Sequence, residues 1–385
     1  HEQTWSHRHA RFPRAPSTLR ACKACPELSI GLERPATNQS ARGRAPSKRV
    51  STIMTTAARF DIVAIGNAIV DVIARADDAF ITGRSLDKGS MRLIDTGEAE
   101  ELYGAMGPGI EMSGGSAANT LAGMAALGRK CAFIGQVAQD QLGKVFRHDL
   151  TSLGVAFTTP DGAGDPPTAR CLILVTPDGQ RTMNTFLGAS QHLGRGALDA
   201  DLIAASDILY LEGYLWNADE SRAAMAEAIA IAKGAGRKVA FTLSDSFVVH
   251  GHRADFLSMI AKGDIDILFS NEAEITALAG TDDFDAAVAQ IAAQVPLLIA
   301  TRGEHGACAM VDGTLTHVDA EPIDQVVDTT GAGDLFAAGY LSGHAEGRST
   351  AECLTMGAIC ARTIIAQIGP RAQEDLKAIV AARLA

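Results

Sequence analysis

No stretch of this 385-residue chain stays apolar for the roughly 18 residues that a bilayer-crossing helix needs, so the sequence offers no transmembrane helix. Cysteine occurs seven times, but without the paired spacing of a disulfide framework or a zinc site. Cys22 and Cys25 make a lone C-x-x-C with no second pair behind it. Reduced thiols of a cytoplasmic protein are the expectation. Positive charge is lacking over most of the chain. Residues 1–53 hold ten Lys/Arg against three Asp/Glu, so the net charge of −11 divides into +7 there and −18 over the remainder. A body that acidic presents no broad basic face to nucleic acid. The basic segment has only the isolated aromatics Trp5 and Phe12, which gives a base-stacking platform little support. Any phosphate must therefore be held locally, by backbone dipoles, a few arginines and a metal.

What the chain does have is apolar material: 47% hydrophobic residues against 21% charged, the balance of a globular protein. Residues 1–53 are rich in Arg, Pro, Ser and Thr and lack periodic hydrophobicity, which predicts a disordered basic extension. A folded body follows over 54–385, and Met54 is a candidate start. In it, short apolar runs such as Phe60-Asp61-Ile62-Val63-Ala64-Ile65, Cys131-Ala132-Phe133-Ile134, Ile208-Leu209-Tyr210-Leu211 and Leu297-Leu298-Ile299-Ala300-Thr301 alternate with helical stretches near 116–126, 218–233 and 283–294. Near-continuous apolar strands separated by helices predict an α/β fold with a mostly parallel sheet covered on both faces. Residues 76–94 and 155–187 break the pattern with turn residues and polar-interrupted strands, and predict a small β lid. Open parallel sheets bind ligands at the carboxyl ends of their strands, and each motif below falls at such an end.

The most informative of these is Asp328-Thr329-Thr330-Gly331-Ala332-Gly333-Asp334, followed by the apolar run Leu335-Phe336-Ala337-Ala338-Gly339-Tyr340-Leu341. Gly331, Ala332 and Gly333 leave backbone N–H groups uncovered at the N-terminus of a buried helix, a natural anion site. Asp334 is then a carboxylate in the first turn. It either caps a glycine-rich turn or accepts a proton from an attacking hydroxyl. Upstream, Asn67 and Asp71 follow the first strand, and Asp71 is read at a strand's C-terminal end. A carboxylate there suits two adjacent hydroxyls, because its two oxygens accept two O–H bonds. Ser113-Gly114-Gly115-Ser116-Ala117-Ala118-Asn119 opens a helix. Ser116 is a candidate cap, and Asn119 lies one turn in with donor and acceptor both available. Asn271 and Glu274 end another strand, as a capping pair or as holders of Mg²⁺, which keeps its waters and needs few carboxylates. Thr301-Arg302-Gly303 ends a further strand, and Arg181 sits in a hairpin of the lid.

Taken in order from Phe60 to Ala385, these segments resemble the PfkB-type carbohydrate kinases, the ribokinase-like family that includes adenosine kinases. The resemblance implies a three-layer α/β/α sandwich with a small β lid and an ATP- and Mg²⁺-dependent kinase. It implies Asp334 as general base, and Gly331, Ala332 and Gly333 as the anion hole. Asp71, Asn67, Gly114, Gly115, Ser116 and Asn119 would line the acceptor. Arg181 would close over the transferring phosphate. Thr301, Gly303, Thr330 and Asn271 would lie along ATP, with Asn271 and Glu274 holding Mg²⁺ through water. Leu243-Ser244-Asp245-Ser246-Phe247 and Asp266 to Glu274 resemble adenosine kinase segments, so the resemblance favours adenosine, phosphorylated at its 5′-hydroxyl, over ribose or fructose. Gly213-Tyr214-Leu215-Trp216 would then supply a base-stacking aromatic, with Met91 from the lid opposite. Adenine of ATP would sit near Ala358, Ala361 and Ile365. Asp328, Thr330 and the Ile368-Gly369-Pro370 turn match a K⁺ site of some relatives. Family members are monomers or lid-paired homodimers. A nucleoside-binding regulator without turnover is a rival of another class, opposed by the intact Asp334, Gly331 and Gly333.

Overall fold

The computed structural model describes residues 59–384; the expectations for residues 1–53, for Cys22 and Cys25 and for Met54 fall outside them. In chain order its strands are β1 (Phe60–Ile65), β2 (Ile69–Arg75), β3 (Met91–Leu93), β4 (Gly109–Gly114), β5 (Cys131–Ile134), β6 (Ala156–Phe157), β7 (Ala169–Val175), β8 (Arg181–Phe186), β9 (Ser206–Glu212), β10 (Lys238–Thr242), β11 (Ile267–Asn271), β12 (Leu297–Thr301), β13 (Ala307–Val311) and β14 (Thr314–Val318). Nine of them form one sheet in the order β14-β13-β12-β11-β10-β9-β1-β5-β6, parallel from β12 to β6 with an antiparallel β13–β14 edge.

Why this sheet is buried on both faces is visible along β1. Ile62 and Ala64 point into one core, shared with the helices Ser116–Ala126, Ala332–Ala345 and Thr350–Ile365. Val63 and Ile65 point into a second core, shared with Asp219–Gly234, Ser246–Lys262, Glu272–Ala279 and Phe284–Ala292. A period-2 strand can be apolar throughout only when both faces are covered. Because β1, β9, β10, β11 and β12 run parallel, Gly66, Glu212, Leu243, Asn271 and Thr301 all emerge at one edge.

The lid differs from its expected extent. It is a five-stranded sheet in the order β3-β8-β7-β2-β4, so segments 76–94 and 155–187 supply only β3, β7 and β8, while β6 joins the main sheet. The other two strands, β2 and β4, lie outside those segments. The Gly66–Ala68 turn redirects the chain from the main sheet into the second one, and an apolar run following so soon after β1 hides the change of sheet. Asp71 is accordingly not at a strand's end. It lies in the middle of β2, opposite Met112 of β4 and Cys171 of β7. One lid face, with Val70, Val72, Leu172 and Leu174, merges into the first core. The other carries Asp71 among Ile73, Cys171 and Ile173.

The helix that opens with the glycine-rich motif is pinned by close packing against Thr350–Ile365. A Cβ added at Gly339 would lie 2.7 Å from the carbonyl carbon of Met356 and 2.8 Å from Cα of Gly357, backbone that cannot step aside. A Gly339→Val substitution should therefore destabilise the protein by about 1–3 kcal/mol through overpacking; urea unfolding that leaves stability unchanged would contradict this packing.

Candidate active site

Asp334 stands in the first turn of the helix Ala332–Ala345, whose cap is Gly331 in the left-handed conformation at φ 77°. Both carboxylate oxygens are held by the first turn of a second helix. Ser116 Oγ donates to Oδ1 at 2.6 Å, and Asn119 Nδ2 donates to Oδ2 at 2.9 Å. Two helix N-termini thus meet at one carboxylate, which places two positive dipole ends beside it. The expectation that Ser116 caps its helix is corrected. The cap position is Gly115, without a side-chain cap bond, and Ser116 is already inside the first turn with its hydroxyl free to reach Asp334. Only glycine fits at 115: its φ is 87°, and a Cβ would collide with the carbonyl oxygen of Asn67. Burial pushes the Asp334 carboxyl above its ordinary value, while the bonds from Ser116 and Asn119 and the charge of Arg371 oppose that shift.

Asp71 lies against Gly114, where a Cβ would stand 2.5 Å from the carboxyl carbon. Burial pushes it up to about 7, opposed first by Arg371 and then by Arg181. Two groups that the sequence reading missed complete this side. Glu212, fully buried at the end of β9, accepts the N–H of Asn67 at 2.8 Å, the Nδ2 of Asn67 at 2.7 Å and the N–H of Ala117 at 2.8 Å. Asn67 in turn accepts from Ser190 Oγ at 2.8 Å. The only sequence signal for Glu212 was an acid closing the apolar run of β9. Arg371, in the loop before the last helix, donates to the side chain of Asn119 and to Ser113.

On the lid side, Arg181 reaches Thr330 Oγ1 at 2.6 Å and pairs with Asp328. Asp328 also accepts the N–H of Thr330 at 2.9 Å and of Gly369 at 2.7 Å. Its charge is thus met by Arg181 and by two backbone N–H groups. On the opposite side Asn271 and Glu274 form a full capping box, with Asn271 Nδ2 on Glu274 Oε1 at 2.6 Å. Glu274 is buried and pushed up to about 7 by desolvation. With both oxygens engaged by Asn271, it fits Mg²⁺ only through water, and among the described residues no group of three or more His, Cys, Asp or Glu is placed to hold a metal. Thr301 pairs with Asn271 across β12 and β11, and Gly303 opens the exposed turn after it.

The aromatic segment divides. Trp216 is core: its ring stands edge-on to Phe241 and Phe256, and its Nε1 donates to Asp255 at 3.1 Å. Leu215 is buried in the same cluster. Tyr214 is half-buried, and its phenol lies within the field of Asp245, Asp334, Glu274 and Glu212. Met91 is 49% exposed, on the lid face that carries Asp71. Ala358 packs inside the first core and Ala361, half-buried, at its margin.

Asp71, Glu212 and Glu274 share one consequence. Each has a folded value near 7 against ordinary values of 3.8, 4.5 and 4.5, so the folded chain holds protons that the unfolded chain releases. Their contribution to stability is complete below the ordinary values and is lost as pH rises through 7. The ligand-free protein should be more stable to urea at about pH 5.5 than at about pH 8; equal or greater stability at the higher pH would contradict burial of these acids.

The pfkB family carbohydrate kinase profile matches residues 107–376 of this chain. Adenosine kinase from Sinorhizobium meliloti is similar in structure, with a TM-score of 0.78 and 48% identity, covering 85% of this chain and 99% of that one. A probable sugar kinase protein from Rhizobium etli CFN 42 gives a TM-score of 0.79 and 45% identity, over 85% of this chain and 98% of that one. Fructokinase from Klebsiella pneumoniae is 32% identical over 61% of this chain and 77% of its own length. With a glycine-capped helix N-terminus, a first-turn aspartate and a β lid on a parallel sheet, the chain belongs to the pfkB family of carbohydrate kinases and is an ATP-dependent kinase.

Proposed function

We propose that this kinase phosphorylates the 5′-hydroxyl of adenosine, giving AMP and ADP, as a cytoplasmic purine-salvage enzyme. The observation that carries the reading is the pair Asp71 and Asp334 flanking the first turn of the Ser116–Ala126 helix, one carboxylate on the lid and one at the anion-binding N-terminus. A ribose spanning that gap has its 2′- and 3′-hydroxyls on Asp71 and its 5′-oxygen at Asp334. Asn67 and Asn119, their amides engaged by Glu212, Ser190, Asp334 and Arg371, hold the groups around the sugar in place, with Gly114 and Gly115 allowing it close. The 48% identity to an adenosine kinase supports the nucleoside. So do the half-buried Tyr214 and exposed Met91, which offer flat and soft apolar surfaces to a purine.

In the reaction Asp334 accepts the proton of the 5′-hydroxyl as its oxygen attacks the γ-phosphorus. The bond from that phosphorus to the β,γ-bridging oxygen breaks, and ADP leaves with the electron pair. The N–H groups of Gly331 and Gly333, with that of Ala332 once it leaves the Thr329 carbonyl it meets at 3.2 Å, hold the charge spread over the phosphoryl oxygens. Arg181, already above Thr330, adds a cation on the lid side. Thr301 and Gly303 lie along the donor, and Mg²⁺, held through water by Asn271 and Glu274, neutralises its phosphates when bound. A sugar kinase is the second reading, favoured by the likeness to a probable sugar kinase and a fructokinase.

ADP release with MgATP and adenosine, inosine, ribose or fructose separates the two. Turnover with adenosine alone is expected; turnover with a sugar and not adenosine would keep the roles of Asp71 and Asp334 and remove the purine. Asp334→Asn should lower kcat about 10²–10⁴-fold with KM little changed, and near-full turnover would remove Asp334 as the base.

A further inference from the structure

Arg371 comes from the 366–375 loop, far in sequence from the residues it binds, yet its guanidinium forks between two elements of the acceptor site. Nη1 donates to Oδ1 of Asn119. Nη2 donates to the carbonyl oxygen of Ser113 at 2.6 Å and to its Oγ at 2.8 Å. Ser113 is held from behind by Asp149, which accepts its N–H at 2.8 Å and its Oγ–H at 2.5 Å.

We propose that Arg371 is a positioning residue for phosphoryl transfer, one that fixes the amide of Asn119 and thereby presents Asp334 as a proton acceptor. The inference rests on Asp334 being the base. A guanidinium only donates, so the atom of Asn119 that faces it must be the carbonyl oxygen. The amide NH₂ is then turned to Asp334, where it donates at 2.9 Å. With Ser116 on the other oxygen, Asp334 has a donor on each oxygen, the arrangement that favours a carboxylate. Were Asn119 reversed, its oxygen would face that carboxylate, a contact that is favourable only when Asp334 carries a proton.

Charge acts in the same direction. The ionisable groups whose fields reach one another around Asp334 are Asp71 on β2, Glu212 on β9, Glu274 on its capping-box helix and Tyr210 and Tyr214, with Arg371 as the cation. Arg181 faces Asp71 but is paired with Asp328. Arg371 is therefore the positive charge shared by Asp71, Asp149 and Asp334. A residue acting only as a structural tie would leave the titration of the reaction unmoved.

The test is kcat against pH with MgATP and whichever acceptor the wild-type protein turns over, for the wild type, Arg371→Met and Arg371→Lys. Arg371→Met should lose about 10–100-fold at neutral pH, and its acidic limb should move up by about one pH unit, so that part of the activity returns in alkali. Lysine keeps the charge but cannot fork, so Arg371→Lys should leave the limb in place with kcat lowered about 3–10-fold. A uniform loss at every pH for Arg371→Met would overturn the inference and leave a structural role. If Arg371→Met does not fold, the neutral but polar Arg371→Gln takes its place: an acidic limb moved up is expected, and a limb left in place overturns the proposal. Asp334→Asn separates the two levels: if it keeps its activity the base itself is wrong, whereas if it is inactive and Arg371→Met shows no limb shift, only the role of Arg371 falls.

Discussion

Four buried or half-buried carboxylates, Asp71, Glu212, Glu274 and Asp334, crowd the carboxyl edge of one parallel sheet, and the arrangement of that edge follows from the need to hold them. Moving a carboxylate out of water is costly unless donors or cations meet it. Each acid here has such a partner. Glu212 takes three donors from Asn67 and Ala117, and Glu274 is closed into a capping box. Asp334 takes Ser116 and Asn119, and Asp71 faces Arg371 and Arg181. Ser116, Ala117 and Asn119 stand in a helix first turn and Asn271 at a strand end, while Asn67 comes from a turn and Arg371 from a loop.

The fold supplies those ends together. Parallel strands bring Gly66, Glu212, Asn271 and Thr301 to the same edge, and the tight packing of the helices Ala332–Ala345 and Thr350–Ile365 fixes where the N-terminus carrying Asp334 lies. The β lid stands beside that edge because β2 leaves the main sheet at Gly66–Ala68 and carries Asp71 with it. Arg181 then ties the lid to the Asp328–Thr330 loop, so one ion pair joins the lid to the segment that leads into the helix carrying Asp334.

Much of this was legible in the sequence, for physical reasons. Strands with both faces buried stand out as apolar runs, and the helix Ser116–Ala126 is bounded by glycines on either side, so its limits could be read directly. The glycine-rich turn with Asp334 announces, by composition alone, a helix N-terminus capped by glycine with an acid in its first turn. What was not legible depended on distant contacts. Arg371 and Glu212 acquire their roles from partners 95 to 258 residues away. Trp216 and Leu215 look locally like a stacking platform, and only the packing of Phe241 and Phe256 shows them to be core. β2 was missed, and Asp71 read at a strand's end, because a change of sheet needs no break in apolar character, only a two- or three-residue turn.

Membership of the pfkB family fixes the class of reaction, while the acceptor rests on how one ligand would bridge Asp71 and Asp334. The most direct measurement is a crystal structure of the protein with adenosine and a non-hydrolysable MgATP analogue. The expected result has the 5′-oxygen within hydrogen-bond distance of Asp334, the 2′- and 3′-hydroxyls on Asp71, and the terminal phosphate at the N–H groups of Gly331 to Gly333. A nucleoside seated elsewhere, or bound with its 5′-oxygen turned away from Asp334, would contradict it.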